Sequence, residues 1–227
     1  MTNPSFVMAS HGRLPIVLQN IEYLSTMGRI FLAVSDKSDY DQIKRAFPNI
    51  NLLITANNPL GAKWQKAVDL ARFHDSEILI TCGSDDVLSR NYVESALKII
   101  EDGHEFVGSN GWYMSDGKSH YKAKYRYYSQ FPAGSGRVFT KKFLDAIDWK
   151  IFDTRALKHL DDKAVDELFR RGIKHHICQV PEFSGLKILA LKGAWHQLNP
   201  LSKFLNAPTI DCRQIECLPD DFPKFTF

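Results

Sequence analysis

At 227 residues and 25.9 kDa, the chain is long enough to bury a core without disulfide or metal staples. Its 44% hydrophobic and 24% charged residues exclude a disordered, collagenous or coiled-coil protein. A formal net charge of +3 announces neither a nucleic-acid nor a membrane-surface protein, and four cysteines without CxxC spacing argue against a zinc site or a disulfide scaffold.

That cysteine usage fits a reducing compartment. The opening MTNPSFVMASHGR lacks the layout of a signal peptide, and no apolar run nears the ~18 residues that span a bilayer. The expected location is cytoplasmic.

In chain order, Phe6 to Ala9 reads as a buried strand, with Ser10 to Arg13 as the loop leaving its carboxyl end. Pro15 suits the first turn of a helix, and Val17, Leu18, Ile21 and Leu24 recur at helical spacing. Ile30 to Val34 predicts a second strand that ends in the polar loop Ser35 to Asp39. Tyr40, Ile43 and Phe47 mark a short amphipathic helix that stops before Pro48. Asn51 to Thr55 predicts a third strand, and Trp64, Ala67, Val68 and Ala71 share one face of the next helix. Glu77 to Cys82 predicts a fourth strand, running directly into Gly83-Ser84-Asp85-Asp86. Tyr92, Val93, Ala96, Leu97 and Ile100 mark another helix, and Phe106-Val107 a fifth strand. Short apolar runs alternating with helices are the signature of a parallel α/β sheet.

After Asn110 the pattern changes. Gly111 to Met114, a Ser115 to Lys118 turn, and Tyr121 to Tyr128 predict an antiparallel hairpin. Gly134-Ser135-Gly136-Arg137 opens toward a short helix from Lys141 to Ile147. Val165, Leu168 and Phe169 pattern a helix from Asp161 to Arg171, closed by Gly172. The final stretch has no clean periodicity. Without repeats or linkers, the expectation is one domain over 1–227, with 1–110 as one half and 111–227 as the other.

In a parallel sheet, ligands bind outside the carboxyl ends of the strands. The loops Ser10 to Arg13, Asp36 to Asp39, Asn57 to Lys63 and Gly83 to Asp86 are therefore expected to line one crevice. Asp85 and Asp86 read as two exposed carboxylates, which either hold a hard divalent cation on a diphosphate or cap the following helix. Between Lys118 and Tyr128, bases alternate with tyrosines. That pattern serves first a plain hairpin with polar and aromatic faces, next a sugar-stacking platform, and last a nucleic-acid surface.

The run NNPLGAKWQKAVDLARFHDSEILITCGSDDVL resembles the central segment of family 2 glycosyltransferases of GT-A fold. FVMASHGR and AVSDKSD before it, and LDDKAVDELFRRG after it, are similar to further segments of that family in the same order. The resemblance spans roughly Phe6 to Gly172. It implies a GT-A α/β fold, with a mostly parallel sheet between helices and a small antiparallel region. It further implies transfer of a sugar from a nucleotide-diphosphate sugar, UDP-sugar first, to a glycan or other hydroxyl acceptor with inversion.

Ser10 and Arg13 would then sit beside the nucleotide, with Asp36 or Asp39 accepting from the base. Lys63 and Arg137 would lie near the phosphates. Ser84, Asp85 and Asp86 would hold donor and Mn2+ or Mg2+, with His196 as a late metal ligand. Gly83 stands where the family's first acidic residue usually does. Asp161 and Asp162 match the family's acidic pair, with Asp162 as the base that deprotonates the acceptor. Apart from the resemblance, that pair reads as a helix N-cap. The alternatives are a non-catalytic nucleotide-sugar or glycan-binding module, and a sugar nucleotidyltransferase. The latter is disfavoured by the glycine-poor SHGRLP loop. Modified DNA is the least favoured acceptor.

Overall fold

The computed structural model describes residues 3–115, 119–125, 132, 134–156, 162–178, 185–188, 207–218, 220 and 222. The chain opens with β1 (Ser5–Ser10), α1 (Leu14–Ser25), β2 (Arg29–Val34), α2 (Lys37–Ala46), β3 (Asn51–Ile54), α3 (Leu60–Phe73) and β4 (Ile78–Thr81). Then come β5 (Asp86–Leu88), α4 (Arg90–Glu101), β6 (Phe106–Ser109), β7 (Gly111–Ser115) and β8 (His120–Tyr125). The remainder supplies β9 (Val138–Thr140), α5 (Lys141–Ala146), α6 (Asp162–Arg170), β10 (His175–Cys178), β11 (Gly185–Ile188) and β12 (Ile210–Ile215).

The larger sheet runs β10-β6-β9-β4-β1-β2-β3. Its β1, β2, β3 and β4 are parallel, as are β6 and β10, while β9 inserts antiparallel between β4 and β6. Successive side chains of a strand point to opposite faces, and the two faces of β1 show how the core is divided. Phe6 and Met8 pack with Val17, Ile21 and Leu24 of α1, Ile43 of α2, and Val93 and Ala96 of α4. Val7 packs on the other side with Ala67 and Val68 of α3, Phe143 of α5 and Leu168 of α6. Helices therefore cover both faces, which is why the strands read as continuous apolar runs. This is the α/β architecture expected from the sequence.

The smaller sheet runs β12-β8-β7-β11-β5. Its Val87 and Tyr113 pack with Ile16 of α1 and with Phe222, so β5 is held against the first helix. Asn20 of α1 donates to the Asp86 carbonyl at 2.7 Å and fixes the chain as it leaves the larger sheet. The α4 start is set by Ser89, whose hydroxyl accepts from the Tyr92 N–H at 3.1 Å. Gly172 ends α6 with φ +60, the left-handed conformation in which glycine closes helices. The hairpin predicted after Asn110 is present as β7 and β8. Strands β5, β9, β10, β11 and β12 were not expected from the sequence. Among the described residues, no helix is long and apolar enough to cross a membrane.

Candidate functional site

The order β3-β2-β1-β4 makes the gap between β1 and β4 a topological switch point. The chain winds to one side after β1, and β4 lies on the other. Such a point leaves a crevice between the two carboxyl-end loops, where open α/β sheets bind ligands. Arg13 ends the loop after β1, and Asp85 lies in the turn after β4. Their side chains meet across the gap, Nη1 to Oδ1 at 2.7 Å, with only 16% and 14% of each exposed.

The two residues before Arg13 behave alike. The His11 ring lies 2.9 Å from the Asp36 carboxylate, and the Gly12 N–H donates to Asp39 Oδ2 at 3.3 Å. Gly12 has φ +65, which lets the loop turn its amide toward Asp39. The His11 ring, the Gly12 amide and the Arg13 guanidinium, consecutive in one loop, are thus met by carboxylates from the start of α2 and from the turn after β4. His11 and the Gly12 amide were missed by sequence reasoning, although the loop that carries them was named.

Lys63 is buried, at 1% exposure, and its ammonium is turned inward. It donates to the Ser10 carbonyl, to Ser35 Oγ at 2.6 Å and to Asn57 Oδ1 at 3.2 Å. These acceptors sit at the carboxyl ends of β1, β2 and β3. Burial draws the Lys63 pKa down to about 8, against the opposing pull of Asp36 and Asp39. Ser10 itself is buried at the end of β1. Ser35 and Asn57 were not among the expected site residues; only their place at strand ends signals them.

Below Asp85 the turn is closed. Ser84 and Asp86 are both buried. The expectation of two exposed carboxylates is corrected: Asp86 is the first residue of β5, paired with Lys187. Its carboxylate fills the space beside Gly83, where an added Cβ would lie 2.2 Å from Asp86 Oδ2. Cys82 is buried with its Sγ donating to the Asp86 carbonyl at 3.2 Å. Burial first, and Asp86 second, push its thiol well above the ordinary range, so it is no neutral-pH nucleophile. Arg137 is likewise buried, and one guanidinium nitrogen donates to the Pro132 carbonyl at 3.0 Å. Its backbone carbonyl accepts from the Thr81 N–H at 2.9 Å, holding β9 against the end of β4.

Asp162 opens α6, and its side chain lies outside the described residues, as do Asp161 and His196. Tests of a Mn2+ or Mg2+ site therefore rest on Asp85 and Asp86. The first is paired with Arg13 and the second is packed under Gly83. Among the described residues, no three His, Cys, Asp or Glu side chains gather around a cation-sized space. The described donors do not by themselves fit a divalent ion.

No family profile matches the chain, and no curated protein matches it. Among solved structures, CMP:2-keto-3-deoxy-manno-octonic acid synthetase complexed with CTP is similar at 13% identity and a TM-score of 0.49. That match covers 79% of this chain and 90% of the synthetase. A197 from STIV is similar at 14% identity and a TM-score of 0.47, over 79% of this chain and 82% of that one. Likenesses at this level carry no argument about what the chain binds.

Proposed function

We propose that the chain is an enzyme of nucleotide-sugar chemistry, transferring a sugar from a nucleoside-diphosphate donor to an acceptor hydroxyl. The observation that carries this reading is the Arg13–Asp85 contact across the β1/β4 switch point, with Asp36 and Asp39 at the start of α2 beside it. A guanidinium there suits a diphosphate oxygen, and nearby carboxylates suit the N–H and hydroxyl groups of a base and ribose. In this reading Asp162 takes the acceptor proton as the hydroxyl attacks the anomeric carbon, and the diphosphate leaves toward Arg13.

The test incubates UDP-sugars and GDP-sugars with an acceptor panel, with Mn2+, Mg2+ or EDTA, and follows nucleoside diphosphate release. Transfer is expected to fall about 10²–10⁴-fold in Asp162→Asn while donor binding is retained. Donor binding without turnover across the panel would reassign the chain to a non-catalytic nucleotide-sugar or glycan-binding module. Absence of binding by every nucleotide sugar ends the reading.

A second reading, a sugar nucleotidyltransferase, is favoured by one observation. That chemistry wants more than one base around the loop after the first strand, and SHGRLP carries Arg13 without a lysine. The fold brings the buried Lys63 ammonium to the Ser10 carbonyl, where it adds positive charge behind that loop without reaching the crevice itself. Pyrophosphate release from a nucleoside triphosphate and a sugar phosphate, without transfer from any nucleotide sugar, would select this reading.

A further inference from the structure

We propose that Asp85 is the internal occupant of an anion site on Arg13, and that a ligand phosphate binds by taking its place. The inference deepens the nucleotide reading above and rests on it only for the identity of the ligand. Its ground is the way the crevice neutralises its own donors.

The loop after β1 presents the His11 ring, the Gly12 N–H and the Arg13 guanidinium in succession. Each faces a carboxylate of this chain: Asp36, Asp39 and Asp85. Behind Arg13 stands the N-terminus of α1, a 12-residue helix with no side-chain cap and no acidic residue in its first turn. Its dipole favours a negative charge at that end, although Pro15 contributes no N–H to the first turn. Arg13 and the helix end together make a locus for an anion, and Asp85 supplies one from the far side of the switch point.

Asp85 is suited to leave. Its turn is anchored by its neighbours, with the Asp86 N–H donating to the Gly83 carbonyl at 3.1 Å and Asn20 holding the Asp86 carbonyl. The carboxylate can therefore rotate away while the turn stays in place. Among the described residues no companion carboxylate stands beside it to chelate a cation, because Asp86 is packed beneath Gly83. The Arg13 guanidinium presents a fork that matches two oxygens of a phosphate as well as those of a carboxylate. The pair is then a resting contact, which a phosphate oxygen of higher charge replaces on Arg13. A site occupied from within binds at its intrinsic affinity multiplied by the fraction of time it is open.

The test measures binding of inorganic pyrophosphate and of UDP to the full chain in EDTA, by calorimetry. Wild type is compared with Asp85→Asn, Asp85→Ala and Arg13→Gln. Asp85→Asn and Asp85→Ala are expected to bind pyrophosphate about tenfold more tightly than wild type. Arg13→Gln is expected to lose that binding, alone or combined with Asp85→Ala. Circular dichroism confirms that each variant is folded, and the two Asp85 variants guard against an effect peculiar to one side chain. If the Asp85 variants bind both ligands no more tightly than wild type, or more weakly, the exchange is refuted. Tighter pyrophosphate binding with no binding of any nucleotide would sustain the exchange and overturn the nucleotide reading. Nucleotide binding without the gain would do the reverse.

Discussion

The Lys63 ammonium lies 2.6 Å from the Ser35 hydroxyl, and through it α3 is joined to the end of β2. The same nitrogen meets the Ser10 carbonyl and Asn57 Oδ1, so one buried cation ties three crevice loops. Lys63→Met keeps most of the volume and removes the three donors. Ser35 still donates to Asn57 Oδ1 at 3.3 Å, leaving the Ser10 carbonyl as the main orphan. The expected cost is about 1–3 kcal/mol in chemical denaturation. Lys63→Arg should not rescue it, because a planar fork cannot enter a slot shaped around a buried ammonium. A variant as stable as wild type would show that the loops are held by other contacts.

A pH dependence follows from the same residue. Its pKa is about 8 in the fold, against 10.5 for the ordinary side chain. Below pH 8 both folded and unfolded chains carry the proton, and Lys63 adds no slope. Between about pH 8 and 10.5 the unfolded chain holds a proton that the folded chain has released. Stability then rises with pH through that window, by at most about 3 kcal/mol from this group. Other groups titrate there too, so the readout is the difference between wild type and Lys63→Met. That difference should widen across the window, because the burial penalty on the charge is lifted from wild type while the variant has none to lose, the opposite trend to a salt-bridged lysine.

The sequence was most legible where structure is local. The elements from β1 to α4 were read from apolar runs and helical spacing, except β5, whose three residues were taken as part of the Gly83 to Asp86 loop. Strand β9 is also three residues long, and its partners Ile78 and Phe106 lie far from it in the chain. So short a segment has no period to detect. Strands β10, β11 and β12 stand in stretches without regular patterning because each owes its strand form to pairing with a distant neighbour. The site divides the same way. Arg13 and Asp85 were each named, yet their contact depends on β4 lying beside β1, which no spacing along the chain encodes. Lys63 was placed near a phosphate from its type and loop, whereas packing of α3 on β1 and β2 turns it inward.

Gly83 lies against the Asp86 carboxylate, which leaves no room there for a side chain. An added Cβ would lie 2.2 Å from Asp86 Oδ2 and 2.9 Å from Asp86 Cγ. Asp86 is buried and its backbone is fixed by Asn20, so the carboxylate has little room to withdraw. Gly83→Ala is expected to destabilise the fold by about 1–3 kcal/mol. In an Asp86→Ala background the same substitution should cost at least 1 kcal/mol less, on the order of the coupling seen between touching residues. Equal costs in both backgrounds would mean that Asp86 is not the obstacle. Gly83→Asp meets the same Cβ contact, so it cannot set a second carboxylate beside Asp85 without displacing Asp86.

Register in the smaller sheet gives two neighbouring lysines opposite fates. Lys122 pairs across the strands with Arg213, and Lys124 pairs with Asp211, whose carboxylate is 3.9 Å from the Lys124 ammonium. Burial lowers the Lys122 pKa, followed by the charges of Arg213 and Lys124. Directly opposed like charges destabilise a ladder, whereas opposed unlike charges support it. Lys122→Glu is therefore expected to stabilise the chain by about 0.5 kcal/mol, since it places an acid between Arg213 and Lys124. Lys124→Glu should destabilise it by a similar small amount, because it sets an acid against Asp211. Both effects should shrink between 0.05 and 0.5 M salt, as screening shortens the reach of exposed charges to about 4 Å. Thermal melts of the two variants at both salt concentrations read the signs directly. Two shifts of the same sign would show that the cross-strand partners, Arg213 and Asp211, do not govern the charges on β8. The same pair of proteins also weighs the surface as a polyanion site: DNA binding that falls equally in both would follow net charge, whatever the strand opposite.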